Sequence, residues 1–182
     1  MSEIADRYRR LSAEFADRVE AVPSDGWSLP TPCADWTVLE LVRHVVDTQG
    51  MFLRLVGRGV GDVASVDEDP AAAWAAASAA VQADLDDPVR AAVTFVGHFG
   101  ESSFETAVGR FVNFDLVVHG WDLARATGGD ERIEATDVAV VLETAAFFGE
   151  SLHSPGVCGP PVEVDGAADA QTTMLALLGR SA

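Results

Sequence analysis

The stretch "NFDLVVHGWDLARATG", residues 113–128, decides how the chain reads. It is mostly apolar, yet Asp115, His119 and Asp122 interrupt it at spacings of four and three. Residues three and four apart share one face of a helix, so a helical segment brings the three side chains together. Gly128 and Gly129 then supply the stop. On a wheel turned by about 100° per residue, the three polar groups fall among Phe104, Val108, Phe111, Val118 and Leu123, with Phe114 and Trp121 extending that half. Gly109, Asn113 and Gly120 lie opposite and are expected on the more open face. A carboxylate on a core-facing stripe costs several kcal/mol unless it is compensated. Two arrangements compensate it. The three groups satisfy one another by hydrogen bonds, or Asp115 and His119 bind a cation while Asp122 orients the imidazole.

Working outward, the same helix begins upstream at "SSFE", where Ser102 and Glu105 have the form of a capping box. Residues 102–127 make it the fourth main helix. The first covers residues 3–21, with Ile4, Tyr8, Leu11, Phe15 and Val19 at helical spacing. "VPSDGWSLPTPCADW", residues 22–36, is a loop by its prolines and glycine. Thr37 and Glu40 form a second capping box, opening a helix that runs to about Val56 and stops at "GRGVGD". Asp69 and Pro70 open a third, alanine-rich helix that ends near Leu85. "VRAAVTFVGHFGESS", residues 89–103, reads as a short β-hairpin or extended crossover. Thr136 is the expected cap of a fifth helix to Ser151, "HSPGVCGPP" is loop, and residues 167–179 form a last short helix. The expected architecture is all-α: a single domain over residues 1–182, built as a four-helix bundle with a hairpin before the fourth helix and short C-terminal helices.

Composition narrows the partners. Against 12 basic residues stand 29 acidic ones, for a net charge of −17. That field repels a nucleic-acid backbone and an anionic membrane surface alike. No apolar run is long enough to span a bilayer, and the charged N-terminus lacks a signal peptide's apolar core. The two cysteines, Cys33 and Cys158, belong to no metal knuckle or disulfide framework, which fits a reduced cytoplasmic protein.

Bundle cores hold metal sites made of side chains from facing helices, so Asp115 and His119 need a third ligand from elsewhere. His44, in "LELVRHVVD", lies at the edge of the second helix's apolar stripe and can point into the bundle. A boundary histidine bonded to water or a carbonyl has the same pattern. His98 falls in a turn and His153 in a loop.

Three segments taken together, "WSLPTPCADWTVLELVRHVVD", "FVNFDLVVHGWDLARATG" and the closing "ALLGR", resemble an actinobacterial family related to mycothiol-dependent maleylpyruvate isomerase. That family belongs to the DinB-like superfamily of metal-binding four-helix bundles. The resemblance implies a divalent metal, usually zinc, with nickel and iron also compatible with a mixed nitrogen and oxygen site. It implies His44, Asp115 and His119 as ligands and Asp122 as the group behind His119. The isomerases resemble a Glu-x-x-x-His pattern, where this chain has the shorter Asp115. They also carry a larger C-terminal domain than residues 150–182 provide, which leaves maleylpyruvate isomerisation itself outside the expectation.

Three protein ligands with an open fourth position is the arrangement of a catalytic zinc. The expected activity is that of a metal-dependent transferase or isomerase, joining a low-molecular-weight thiol, mycothiol, to a small electrophile. A metal-dependent hydrolase and a non-catalytic, metal-containing bundle that binds a small molecule are the alternatives. Cys33, Trp36 and Arg125 are candidate pocket residues. Each also has a plain structural reading: Cys33 as a buried inert thiol, Trp36 as a loop anchor like Trp27 and Trp121, and Arg125 as a cation favoured at a helix C-terminus. A monomer and a homodimer are both compatible with the apolar faces.

Overall fold

A computed structural model of the chain describes residues 2–154 and 156–181. The chain divides into two compact units, residues 1–129 and residues 130–182. The fold is all-α with one small hairpin, the DinB-like four-helix architecture expected from sequence.

In the first unit, helix α1 spans Glu3–Glu20, capped by the Ser2 side chain, which accepts the Ala5 N–H. Helix α2 spans Val38–Leu55 and opens with the complete Thr37–Glu40 capping box. Helix α3 spans Pro70–Asp86, with the Asp69 carboxylate accepting the Ala72 N–H and proline in the first turn. A single helical turn, α4 (Pro88–Ala91), leads into strands β1 (Thr94–Gly97) and β2 (Gly100–Ser103), an antiparallel hairpin with Thr94 opposite Ser103. The fourth main helix follows in three parts: α5 (Phe104–Ala107), a π-helical turn (Val108–Val112) and α6 (Asn113–Thr127). It ends at Gly128, whose φ of 74° is the left-handed conformation that closes helices.

Helix α1 packs on α3 and α6, and so does α2, so α1 and α2 occupy opposite corners of the bundle. Its core is made of Tyr8, Leu11, Phe15, Leu41, Val45, Trp74, Val81, Phe104, Leu116 and Leu123. Trp74 meets Phe15 edge-on at 4.8 Å and donates its indole N–H to the Ser12 carbonyl. The Tyr8 hydroxyl donates to Gln49 Oε1 at 2.9 Å, a buried bond between α1 and α2. Buried Asp84 is held by Arg58 and Arg90, which fastens α3 to the segments on either side of it.

Three expectations about the fourth helix need correction. The cap is Ser103, accepting the Thr106 N–H, and the Ser102–Glu105 box does not form. The hairpin persists one residue further than its sequence suggests, because the Phe104 N–H still bonds to the Val93 carbonyl. Secondly, the helix is not α throughout: the π turn inserts an extra residue and breaks the wheel at Val108–Val112. Thirdly, Asn113 and Gly120 are buried, not open. Helix α1 covers that face. A Cβ on Gly109 would lie 2.8 Å from Ile4 Cδ1, and one on Gly120 would lie 3.3 Å from Arg18 Nη1. The glycines give α1 its approach.

The second unit holds α7 (Ala135–Phe148), a 3₁₀ turn (Gly149–His153) and α8 (Ala170–Leu177). Helix α7 starts after Glu134, whose carbonyl takes the Asp137 and Val138 N–H groups, so Thr136 is inside the helix instead of capping it. Asp169 caps α8. Gln171 ties α8 to the entry of α7 through the Ile133 N–H and the Glu131 carbonyl. Among the described residues, no helix is long and apolar enough to cross a membrane.

Candidate metal centre

Asp115, His119 and Asp122 all lie in α6, downstream of the π turn, so their helical spacing survives the break. Asp122 is fully buried and His119 nearly so. His119 Nδ1 is 2.9 Å from Asp122 Oδ2. An ionised carboxylate only accepts hydrogen bonds, so Nδ1 carries the proton and donates it. The Nε2 edge of the ring is thereby turned towards Asp115 Oδ1 at 3.3 Å. Asp115 Oδ2 faces the other way, 3.4 Å from His44 Nε2 on α2. That approach is close but not in hydrogen-bonding line, and Oδ2 is a buried oxygen with no hydrogen-bond partner.

These distances are compatible with ligation. Two donors each about 2.0–2.1 Å from a tetrahedral zinc are separated by about 3.3 Å. The Asp115 oxygens are 3.3 and 3.4 Å from the two histidine nitrogens, and the three donor atoms all lie within 4.8 Å of one another. A buried carboxylate whose two oxygens face two imidazole nitrogens, one of those oxygens without a hydrogen-bond partner, is a donor set that suits a divalent cation. The residues fit the metal that the sequence implied. Without one, a proton does part of the same work. Burial alone pushes the His119 imidazole down and the Asp115 carboxyl up, but their mutual charge outweighs it. His119 is held well above its ordinary pKa and Asp115 well below the carboxylate range.

A loop completes the surroundings. The Pro30–Thr37 bridge pins its ends, reinforced by Val38 N–H to the Leu29 carbonyl and Thr31 N–H to the Trp36 carbonyl. Within it the Thr31 hydroxyl accepts the Cys33 N–H, and Asp35 turns the chain at a φ of 67°. The result delivers two side chains to the site. The Trp36 ring lies 4.7 Å from that of His44 and 5.8 Å from that of His119, so it walls the site and is more than a loop anchor. Cys33 is half-exposed; its thiol donates to Asp122 Oδ2 at 3.2 Å and stands 3.8 Å from His119 Nδ1. Of the two readings of Cys33, a pocket residue and a buried inert thiol, its partial exposure beside His119 favours the first. Cys33, His119 and Asp122 also form a trio of potential ligands, but separations of 2.9 and 3.2 Å to one shared oxygen are those of hydrogen bonds.

The structure thus brings together Cys33, Trp36, His44, Asp115, His119 and Asp122, all in the first unit. Arg125 lies elsewhere. Six residues beyond His119 it is on another side of α6, exposed, with its guanidinium over the Trp121 ring at 5.8 Å. His98 is exposed in the hairpin turn against Phe99, and His153 bonds the Gly159 carbonyl in the second unit.

Comparison with known proteins shows the family to which the chain belongs. A family model described as the mycothiol maleylpyruvate isomerase N-terminal domain matches residues 8–124, a span that contains all six clustered residues. Two uncharacterised proteins of Mycobacterium tuberculosis, from strains CDC 1551 / Oshkosh and ATCC 25618 / H37Rv, are each 30% identical over 150 residues. The alignment covers 82% of this chain and 81% of each relative. No solved structure matches the chain. With nearly two thirds of its length matched, the chain belongs to the mycothiol maleylpyruvate isomerase N-terminal domain family.

Proposed function

We propose that the protein is a metal-dependent enzyme that joins a low-molecular-weight thiol, mycothiol, to a small electrophile, as a transferase or thiol-assisted isomerase. The observation that carries this reading is the convergence of His44, Asp115 and His119 at metal-ligand spacing, with one buried Asp115 oxygen lacking a hydrogen-bond partner. His44 Nε2, Asp115 and His119 Nε2 hold the metal in this reading. Zinc suits the donors best, and nickel and iron are compatible. What a divalent cation supplies in such a place is a lowered thiol pKa, the thiolate being the reactive nucleophile.

The chain's own residues do the rest. Asp122 fixes the His119 tautomer so that the correct nitrogen faces inward, and strengthens it as a donor. Trp36 lies across both histidine rings and limits water on that side. The His44 side chain stays about a third exposed, leaving an entrance on the α2 side. The family supports mycothiol as the thiol, and a reducing cytoplasm is the compartment in which this thiol chemistry and an unoxidised Cys33 belong.

Elemental analysis of the purified wild type beside His119→Ala tests the foundation. One metal per chain, lost in the variant, is the expected result. Zinc-loaded protein should then consume mycothiol when mixed with an electrophile. Turnover that proceeds equally without thiol points to hydrolysis and overturns the thiol reading. Absence of metal in the wild type after zinc reconstitution removes its chemical basis.

A further inference from the structure

The site lies at one end of the seam between α2 and the fourth main helix. At the near end the His44 and His119 rings are 5.0 Å apart. Eight residues onward in α2, the Phe52 ring stacks at 6.0 Å and 27° on Phe111, which lies eight residues before His119. Equal steps in opposite directions mean that the two helices run antiparallel here and keep register for about 12 Å. Phe99, from the hairpin turn, extends the stack onto Phe111 at 5.5 Å and 24°.

The α2 side of the seam has its own pattern. His44, Thr48, Met51 and Leu55 fall within an arc of about 60° on the wheel. Along that arc Met51 is 45% and Leu55 42% exposed, and Phe99 beside the stack is 44% exposed. One exposed apolar side chain is ordinary, whereas several on the helix face that also carries His44 point to a binding surface. The π turn contributes Phe111 to it, and π turns recur where helices carry function.

Building on the proposed function, we infer that this seam is the subsite for an apolar, ring-bearing body of the electrophile. The reacting atom lies at the histidine end and the ring lies against Met51, Leu55 and the Phe99–Phe111 stack. A seam of about 12 Å suits a molecule of two or three rings, and an apolar wall with polar groups gathered at one end is the usual make-up of a small-molecule site. The substrate class is therefore an uncharged aromatic electrophile.

The test uses the zinc-loaded full chain and N-phenyl-1-naphthylamine, an uncharged fluorophore that brightens in apolar surroundings. Saturable binding of one probe per chain is expected. The double variant Met51→Ser, Phe99→Ser should weaken it by about tenfold or more, the loss of one or two apolar contacts, with zinc content unchanged. Val164→Ser, an exposed apolar position in the second unit, should leave it as it was. Cobalt in place of zinc should quench the bound probe, because the seam begins at the metal. Absent probe binding, or equal binding by the double variant, overturns the subsite while leaving the metal reading intact. A wild-type dimer that the double variant converts to monomer shows a second copy covering the seam, and overturns it too. A wild type without metal but with the expected probe pattern refutes the metal reading and still supports an aromatic-ligand seam.

Discussion

Replacing Asp122 with asparagine separates a group that supports the metal from one that binds it. Asp122 is fully buried, with its Oδ2 2.9 Å from His119 Nδ1 and 3.2 Å from the Cys33 thiol. Asparagine keeps the shape and an oxygen acceptor for Nδ1–H but loses the charge behind the imidazole. Carboxylates in this position are worth about 10- to 100-fold in metal affinity, or about 1.4–2.7 kcal/mol. The effect carries over to stability. With free zinc at about 100 times the wild-type Kd, bound metal stabilises the wild type by about 2.7 kcal/mol and the variant by about 0.4–1.4. At about 2–4 °C per kcal/mol for a chain of this size, the zinc-induced rise in Tm shrinks by about 3–9 °C. The assays are competition against a fluorescent zinc chelator and thermal melts with and without zinc. A variant Kd within about twofold of wild type refutes the support role, and complete loss of stoichiometric metal shows that Asp122 is a ligand.

Three further outcomes follow from the same geometry. Cys33→Ser should keep one metal per chain with affinity changed by less than about threefold, since the thiol contacts are hydrogen bonds worth about 1 kcal/mol or less; loss of the metal in elemental analysis would make Cys33 a ligand. Metal affinity should rise with pH through the neutral range, because His119 is held above its ordinary pKa and gives up its proton to ligate. In the apo chain the sign is opposite for stability: the His119 contribution is present at low pH and lost as pH climbs through the raised folded pKa, and calorimetry in buffers of different ionisation enthalpy should count about one proton released per metal. Tyr8→Phe should cost about 1–3 kcal/mol in urea unfolding, because Gln49 Oε1 is left buried without its donor; an unchanged midpoint shows that the bond adds nothing.

Much of the frame is written in local signals that tertiary contacts do not override. Thr37 with Glu40, and Asp69 with Pro70, satisfy helix N-termini by side chains only a few residues away, and both helices start where those residues put them. The same locality explains why Asp115, His119 and Asp122 converge: the geometry involves one helix and no partner. What escaped the sequence depends on distant parts of the chain. Ser103 instead of Ser102 caps the helix because a hairpin bond from Phe104 to Val93 extends the strand. Gly120 and Asn113 are buried because α1 lies over them, a fact visible only once Arg18 and Ile4 are placed. Cys33 and Trp36 are candidate pocket residues already by their place before the second helix, but the loop that carries them, shaped by the Pro30–Thr37 bridge and by Asp35 at positive φ, has no periodicity to read. A π turn leaves no compositional mark at all.

Charge connects the site, the seam and the composition. In the state that ligation requires, with the two carboxylates ionised and no proton on the metal-facing nitrogens, the cluster is doubly negative inside a chain whose net charge is −17. Such a field concentrates cations and repels anions, so it favours loading of a divalent metal. The proton on His119 only halves the local charge, whereas a divalent ion cancels it, and the Asp115 oxygen that no hydrogen bond reaches then has its partner. Once the cluster is neutral, the acidic exterior still opposes a polyanionic substrate. An uncharged electrophile is not opposed, and in the proposed subsite the exposed Met51 and Leu55 of α2 and the Phe99–Phe111 stack give it somewhere to bind. The metal triad and the apolar seam thus select for the same reaction partner by independent physical terms, one electrostatic and one hydrophobic. Substitutions in the seam should alter which electrophile binds without altering whether the metal does.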